Sequence, residues 1–346
     1  MAAIPPLPAR HAPQALPPIA APSLENLVVT APAPVPATAD ELIAYADQLV
    51  RDRSPRSPRK YGEKIQLGDE VIVNMLGFAK GELIPFSARQ GLVVEVGQGA
   101  VLPWLDEELL ECSVGDGFEL PVTFGDDEPI ESMRGVEASF LVDIVSASSV
   151  AVPDPQSPEF LQLLGPAASL DQAMDAVADQ LEDERVTAAW DEARERVIDE
   201  IVGRTEVSLL PMLIDEEIRR TWQRLEEPFL KSRKFEEPEL LEALAGWMMD
   251  EDTRIEASRR LRLGLALQAI TTRDNIQFDA EALRLIADEA RLRFGLTPKD
   301  LADGLKDPKV HPALTSLGLH LRALQTVLAA ASVKFEGMEG VFPFRA

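Results

Sequence analysis

The chain has 346 residues, a formal net charge of −25 and a single cysteine, Cys112. A surface this acidic repels nucleic-acid phosphates and anionic lipid headgroups, and no apolar run approaches the roughly 18 residues of a membrane span, so we expect neither nucleic-acid nor membrane binding. One cysteine excludes an internal disulfide, and its apolar flanks predict a packed thiol in a reducing, cytoplasmic compartment.

The N-terminal part of the chain is dominated by proline and alanine. Residues 1–38 are predicted to form an extended or disordered tail, with room for one short strand at 24–30. Residues 39–60 are predicted to form a connecting helix and a linker. Thr38 and Glu41 have the spacing of a capping box, which marks the start of the helix, whereas "RSPRSPRK" predicts a flexible linker.

Residues 61–152 change to the alternating pattern of β-strands. Strands are predicted at 69–76, 91–97, 115–125 and 136–145. One helical piece interrupts them after Pro103, with acidic residues in its first turn, where the helix dipole favours them. The segment therefore predicts an antiparallel sheet packed on one short helix.

From residue 153 the pattern is helical. Ser157, Pro158 and Gly165 supply an N-cap, a first-turn proline and a terminating glycine for a short helix. Further helices are predicted at 169–203, from 211 past 225, and at 237–249, 251–272, 279–294, 297–305 and 311–331. We expect an all-α domain over 153–335 and a tail at 336–346, which makes the fold class α+β.

The sequence Gly97-Gln98-Gly99 follows an apolar run, as a phosphate-binding loop does. The dinucleotide fingerprint requires a third glycine where Leu102 stands. The acidic run at 106–108 would also repel a phosphate at the start of the next helix. We therefore interpret this stretch as a corner between a strand and a helix, and we expect no cofactor.

The chain contains three histidines, at positions 11, 311 and 320. None of them has the spacing of a metal-ligand motif, and no cysteine lies near them. No nucleophile, base and orienting acid form a recognisable triad either. We expect no metal site and no nucleophilic catalysis.

An ordered series of motifs resembles a known family. The stretches "VGQGAVLPWLDEEL", "VGDGFELPVTF" and "GVEASFLVDIV" resemble the FKBP-type peptidyl-prolyl isomerase domain in the version found in trigger factor. The later stretches "SPEFLQLLG" and "VSLLPMLIDEEIRRTWQRL" resemble the trigger factor substrate-binding domain in order and spacing. The resemblance covers roughly residues 24–335. It implies an FKBP-like antiparallel sheet wrapped on a short helix, followed by long helices with arm-like extensions.

The resemblance also implies a function. Trigger factors are ATP-independent chaperones with peptidyl-prolyl isomerase activity, and their partners are unfolded or nascent polypeptides. The family's ribosome-docking loop, Gly-Phe-Arg-x-Gly-x-x-Pro, has no counterpart in this sequence, and residues 24–52 resemble only the end of that domain. Ribosome docking through the usual family motif is therefore not expected.

The prolyl pocket of the family can be carried over position by position. It falls on seven apolar residues: Met75, Ile84, Leu92, Val101, Leu102, Leu105 and Phe140. Phe86 and Trp104 lie beside these positions and are expected to contact substrate. Because only Phe140 among the seven keeps an aromatic ring, we expect weakened isomerase activity. In the helical part, Trp222, Trp247 and Met248 are expected to contact unfolded clients.

A second function class remains open on this sequence. The seven pocket positions could be ordinary core of a vestigial isomerase domain. The chain would then be a non-catalytic adaptor with one dedicated partner. Tryptophans and methionines at helical spacing are also more often core residues than ligand-binding ones.

Overall fold

The computed structural model describes residues 17, 19–99, 101–102, 104–126, 134–294 and 297–344. Its elements are β1 (Val28–Ala31), α1 (Ala39–Arg53), β2 (Arg56–Pro58), β3 (Asp69–Ala79), β4 (Glu82–Leu83), β5 (Arg89–Glu95), α2 (Leu105–Glu111), β6 (Gly117–Thr123), β7 (Glu137–Val150), α3 (Pro158–Leu164), α4 (Leu170–Gly203), α5 (Pro211–Leu225), α6 (Glu227–Ser232), α7 (Glu237–Met249), α8 (Glu251–Arg273), α9 (Ala280–Phe294), α10 (Pro298–Lys306), α11 (His311–Ala330), β8 (Ser332–Phe335) and β9 (Phe342–Pro343). No helix in these described ranges is long and apolar enough to span a membrane. The α+β class is confirmed.

The chain divides into two compact units, and each combines separate stretches of sequence. The first comprises residues 37–181 and 215–254. The second comprises the described residues of 11–36 together with 182–214 and 255–344. This division differs from the predicted boundaries, because the helical region expected at 153–335 contributes to both units. Residues close in sequence therefore do not all share one core.

Helix ends follow the capping signals in the sequence. Thr38 Oγ1 accepts a hydrogen bond from the Glu41 backbone N–H at 3.3 Å, and Glu41 Oε2 accepts one from the Thr38 N–H at 2.8 Å. Ser157 Oγ accepts from the Phe160 N–H at 3.1 Å, directly before Pro158. Each cap satisfies backbone donors that the first helical turn leaves free. The predicted bounds of these helices consequently agree closely with the observed ones.

The first unit is built on an antiparallel six-stranded sheet. Strands β3 and β7 pair along most of their length, from Asp69 opposite Ser149 to Ala79 opposite Ala138. β4 and β5 pair with β3, while β2 and β6 pair with β7. Helix α2 closes one face, because Leu105 and Leu109 are fully buried in the same core as the inward residues of β3 and β7. This is the sheet on a short helix that the alternating pattern predicts.

The stretch at 53–60 is ordered, which corrects the prediction of a flexible linker. Residues 56–58 form β2 and pair with Ser148–Val150 of β7. The Arg59 guanidinium donates two hydrogen bonds to the buried Asp69 carboxylate, from Nε to Oδ2 at 2.5 Å and from Nη2 to Oδ1 at 2.8 Å. Arg56 forms a more exposed ion pair with Glu70. These arginines therefore hold residues 53–60 against the sheet, and the stretch is not a solvent-exposed linker.

The N-terminal segment also differs from the predicted tail. Residues 1–16 and 18 lie outside the described residues, but β1 pairs in parallel with β8 in the second unit. Leu27, Val29 and Ala31 are buried there. Burial of the apolar side chains of "LENLVVT" offsets the conformational entropy that this segment loses when it becomes ordered. A short strand was therefore correctly anticipated, whereas a disordered 1–38 was wrong for its described part.

The second unit has its own core of helices and a three-stranded sheet. Strand β9 pairs with β8, so the predicted tail at 336–346 contributes structure to this core. The Trp190 indole makes edge-on contacts with the rings of Phe335 and Phe344, at centroid distances of 5.1 and 5.4 Å. Edge-to-face packing of this kind favours aromatic pairs beyond the area they bury. Trp190 is therefore a core residue of this unit.

The buried ion pair of Arg59 and Asp69 gives a stability prediction. Asp69→Ala would remove the buried partner of Arg59 and leave it only the more exposed Glu63 carboxylate, so we expect a loss of about 3 kcal/mol in the free energy of unfolding. Glu70→Ala, which breaks the more exposed pair with Arg56, should cost under about 1 kcal/mol. Urea unfolding monitored by circular dichroism measures both. Equal effects of the two substitutions would contradict the docking role of Arg59.

Candidate functional site

Four elements of the first unit bring the predicted pocket residues together. Met75, Leu105 and Phe140 are buried in one core cluster, supplied by β3, α2 and β7. Ile84, Leu92 and Leu102 are partly buried and pack against that cluster. Six of the seven predicted pocket residues therefore share one apolar cluster. Val101 is exposed beside it.

A close backbone approach places the Phe140 ring of this cluster. Gly77 on β3 lies opposite Phe140 on β7. A Cβ on residue 77 would lie 2.6 Å from Cε1 of Phe140 and 2.9 Å from Cβ of Ser87, closer than real side chains approach. Only glycine leaves room here for the ring. The sequence Met75-Leu76-Gly77 thus determines where the Phe140 ring lies.

Gly77 also anchors the loop that follows β4. The Ile84 backbone N–H donates to the Gly77 carbonyl oxygen at 2.8 Å. Ser87 Oγ lies 3.0 Å from both the N and the O of Gly77, accepting from the first and donating to the second. These bonds hold Ile84 against the apolar cluster. They turn Phe86 away from it, towards Trp247, with ring centroids 3.8 Å apart.

The rim of the cluster carries an exposed aromatic side chain. Trp104 is 64% exposed and is the N-cap residue of α2, with a left-handed φ of 66°. Its neighbour Pro103 lies outside the described residues, as do residues 127–133 of the predicted flap. Trp104 and Val101 are both exposed at the start of α2, so a bound molecule could reach them directly.

The chemistry of this site is apolar. None of the seven predicted pocket residues ionises. The nearest thiol, Cys112, has its pKa raised by burial and by the negative charges of Asp116 and Glu108, which disfavours a reactive thiolate. In the described part of the chain, no group of three or more potential ligands could hold a metal ion. The predicted pocket residues Met75, Leu105 and Phe140 are buried core side chains, and the seven positions offer no group for proton transfer.

The three predicted client-contacting residues of the helices are interior in this structure. Trp222, Trp247 and Met248 are all buried, and Trp247 is only 1% exposed. Their side chains pack inside the first unit, as tryptophans and methionines at helical spacing more often do. Met249, the next residue, is 70% exposed. A client could contact Met249 without rearrangement of the chain, whereas the other three would first have to be uncovered.

A buried carboxyl group lies beside these tryptophans, and the sequence analysis missed it. Glu226, between α5 and α6, is 2% exposed, and its Oε2 accepts a hydrogen bond from Trp222 Nε1 at 3.0 Å. The Trp247 indole N–H and the Ala88 backbone N–H also face the carboxylate, as does the positive charge of Arg89. Glu226 Oε1 and Trp247 Nε1 have no hydrogen-bond partner among the described residues. A glutamate in a charged stretch gives no sequence signal of burial.

Burial changes the acidity of this group. Loss of solvation raises the pKa of the Glu226 carboxyl to about 7, against the opposing effects of the two indoles, the Ala88 N–H and Arg89. The neutral acid is therefore the favoured form below neutral pH. A carboxyl in this state can donate as well as accept a hydrogen bond.

Comparison with known proteins gives one family throughout. Residues 169–329 match the family model of the bacterial trigger factor protein C-terminus. The trigger factor of Hyphomonas neptunium is 30% identical over 303 residues, which cover 87% of this chain and 67% of that protein. The trigger factor of Novosphingobium aromaticivorans is 27% identical over 282 residues, or 81% of this chain and 53% of the relative.

These alignments extend beyond the C-terminal family model. Both are longer than the whole of the chain after residue 152, so they reach into the sheet region that carries the candidate site. The chain spans about half to two thirds of the length of these relatives. A solved structure, described as promiscuous substrate recognition in folding and assembly activities of the trigger factor chaperone, aligns with 89% of this chain and 72% of its own, at 14% identity and a TM-score of 0.33. That score is too low to support an argument about the fold.

The raised pKa of Glu226 predicts how stability depends on pH. The folded chain binds a proton that the unfolded chain releases near pH 4.5, so the free energy of unfolding should fall between about pH 4.5 and 7, by about 3 kcal/mol. Glu226→Gln should abolish this decrease, because an amide does not titrate. Glu242→Gln, at an exposed position on α7, should leave it unchanged. Urea midpoints at pH 5.0 and 7.5 measure the difference, and a Glu226→Gln protein that keeps the full decrease would contradict the assignment.

Proposed function

The chain belongs to the trigger factor family, and we propose that it is an ATP-independent folding chaperone that acts on unfolded polypeptides in the cytoplasm. We further propose that its sheet region retains peptidyl-prolyl isomerase activity. The observation that supports this second proposal is the apolar cluster around Phe140, in which none of the seven predicted pocket positions ionises and beside which Trp104 is exposed.

An apolar site suits prolyl isomerisation for a physical reason. Rotation about a peptide bond faces a barrier of about 18–20 kcal/mol, because the C–N bond has partial double-bond character. The two isomers of an X-Pro bond differ by only about 1 kcal/mol, so catalysis needs no input of energy. A site that holds the proline ring and removes water from the amide favours the twisted state, in which resonance is lost. Neither a nucleophile nor an acid is required.

The residues around the site indicate a weak isomerase. Met75 and Leu105 pack against Phe140, where the family resemblance implies aromatic rings. Aliphatic side chains keep the site apolar, but they do not offer the flat walls between which a proline ring is held. We therefore propose that binding of proline-containing segments is retained more fully than catalysis.

Client binding by the helices is supported by exposed apolar side chains. In the first unit, Leu225, Leu241 and Met249 are exposed on α5 and α7. Scattered apolar contacts in a charged surrounding bind many unfolded sequences weakly, and flexible methionine side chains adapt to different partners. The net charge of −25 favours clients with basic residues.

Trp104 gives the test of the isomerase proposal. Trp104→Ala removes an exposed ring at the rim, so the rate in a protease-coupled prolyl assay should fall at least tenfold while stability is unchanged. Leu110→Ala is the matched control, because Leu110 is an exposed apolar residue of the same helix. Its rate should equal that of the unaltered chain. An unaltered chain with no rate above buffer would contradict the isomerase proposal.

Met249 gives the test of the chaperone proposal. Met249→Ser removes an exposed apolar contact, so about twice as much chain should be needed to suppress aggregation of an unfolded model protein, measured by light scattering. Leu67→Ser removes a similarly exposed apolar side chain from a turn of the sheet region and serves as control. No suppression by the unaltered chain at molar excess would refute client binding.

A further inference from the structure

One loop of the sheet region is held by helix α7 in the same unit. The Phe86 ring packs on the Trp247 indole at a centroid distance of 3.8 Å and an interplanar angle of 35°. Directly beside this stack, Pro85 Cγ lies 3.7 Å from the position that a Cβ on Gly246 would occupy, and the Leu83 carbonyl oxygen lies at 3.9 Å. A proline followed by an aromatic residue is thus seated on a helix surface of glycine and tryptophan.

The backbone of this loop is held in an unfavourable conformation. Phe86 has a φ of 62°, in the left-handed region that residues with a Cβ rarely adopt. Such strain persists only where surrounding contacts compensate for it. The hydrogen bonds to Gly77 hold Ile84 before Phe86 and Ser87 after it. The contact with Trp247 holds the Phe86 ring itself. The contact is therefore specific rather than incidental.

Polar groups on the helices complete this surface. The Glu226 carboxylate faces the backbone N–H of Ala88 and the positive charge of Arg89, immediately after the stacked ring. Its Oε1 has no hydrogen-bond partner among the described residues. A second link, the ion pair of Arg233 with Asp143 on β7, holds the end of α6 on the sheet. The helices thus offer the Trp247 ring as a stacking surface and a buried carboxyl group whose Oε1 meets no hydrogen-bond donor among the described residues.

We propose that Trp222, Glu226, Gly246 and Trp247 form a peptide-binding surface, which the chain fills with its own segment Leu83–Ala88. The ligand class is a segment that turns at a proline followed by an aromatic residue, with an aliphatic residue before the proline, as residues 84–87 do in this chain. Clients of this type reach the surface only when the internal segment is released. The proposal rests on the proposed function for its biological role, because it explains how buried Trp247 could still contact a client.

The test uses the segment itself as the probe. A fluorescein-labelled peptide Lys-Gly-Glu-Leu-Ile-Pro-Phe-Ser-Ala-Arg, with the sequence of residues 80–89, is titrated with full-length protein and followed by anisotropy. Phe86→Ser removes the internal ring, so the surface is freed and the peptide should bind at least tenfold more tightly than to the unaltered chain. A peptide in which the phenylalanine is replaced by serine should not show this gain.

Two glycine substitutions locate the binding. In the Phe86→Ser background, Gly246→Leu places a side chain where Pro85 is seated, so the gained affinity should be lost. Gly264→Leu is the matched control, because a Cβ on this helical glycine meets nothing within 4 Å, and it should retain the gain. Both substitutions favour helix, so neither is expected to unfold its element. Circular dichroism verifies that each variant is folded.

A second measurement needs no substitution. Excess peptide should compete with the internal segment in the unaltered chain and raise amide hydrogen exchange at residues 83–89 at least fivefold. The proposal is overturned if the peptide binds the Phe86→Ser protein and the unaltered chain equally, if Gly246→Leu leaves the gain intact, or if exchange at 83–89 is unchanged by the peptide. None of these readouts depends on isomerase or chaperone activity, so failure here is distinguishable from failure of the proposed function.

Discussion

The close approach of Gly77 to Phe140 is the contact on which the candidate site depends. With no side chain at residue 77, the Phe140 ring lies against the backbone of β3, near the Ala79 end of the antiparallel pair. The same residue binds Ile84 and Ser87 through its backbone. Because Gly77 has no side chain, it determines where the Phe140 ring lies and where the loop containing Ile84 and Ser87 is held. Any added methyl group would disturb both.

This arrangement separates two surfaces with different chemistry. The cluster around Phe140 is apolar, and Met75, Leu105 and Phe140 are buried within it. The helices at Trp247 place a buried carboxyl group beside the backbone of a proline-containing loop. Burying a carboxyl group costs free energy unless its polar atoms find partners. Glu226 Oε2 accepts from Trp222 Nε1, but Oε1 has no partner among the described residues, so the burial of this group is only partly compensated.

Most element bounds could be predicted because they depend on local interactions. Helix α7 occupies the predicted 237–249, and α11 ends one residue before the predicted 331. Proline in the first turn and capping side chains act within a few residues of the positions they mark. The stretch 53–60 was mispredicted for the opposite reason. Its arginines pair with acids 10 to 14 residues further along the chain, and a charged, proline-containing run looks the same whether or not such a partner exists.

The sequence by itself determined most of the helices, the longer strands of the sheet region, the family and the apolar residues that gather around Phe140. Only the tertiary structure decided that Phe86 covers Trp247, that Glu226 is buried between indoles, and that β1 pairs with β8. The physical reason is that periodicity and caps report which side chains avoid water and where helices begin. They carry no information on which distant residue provides the covering surface, because that choice is made by packing between elements far apart in the chain.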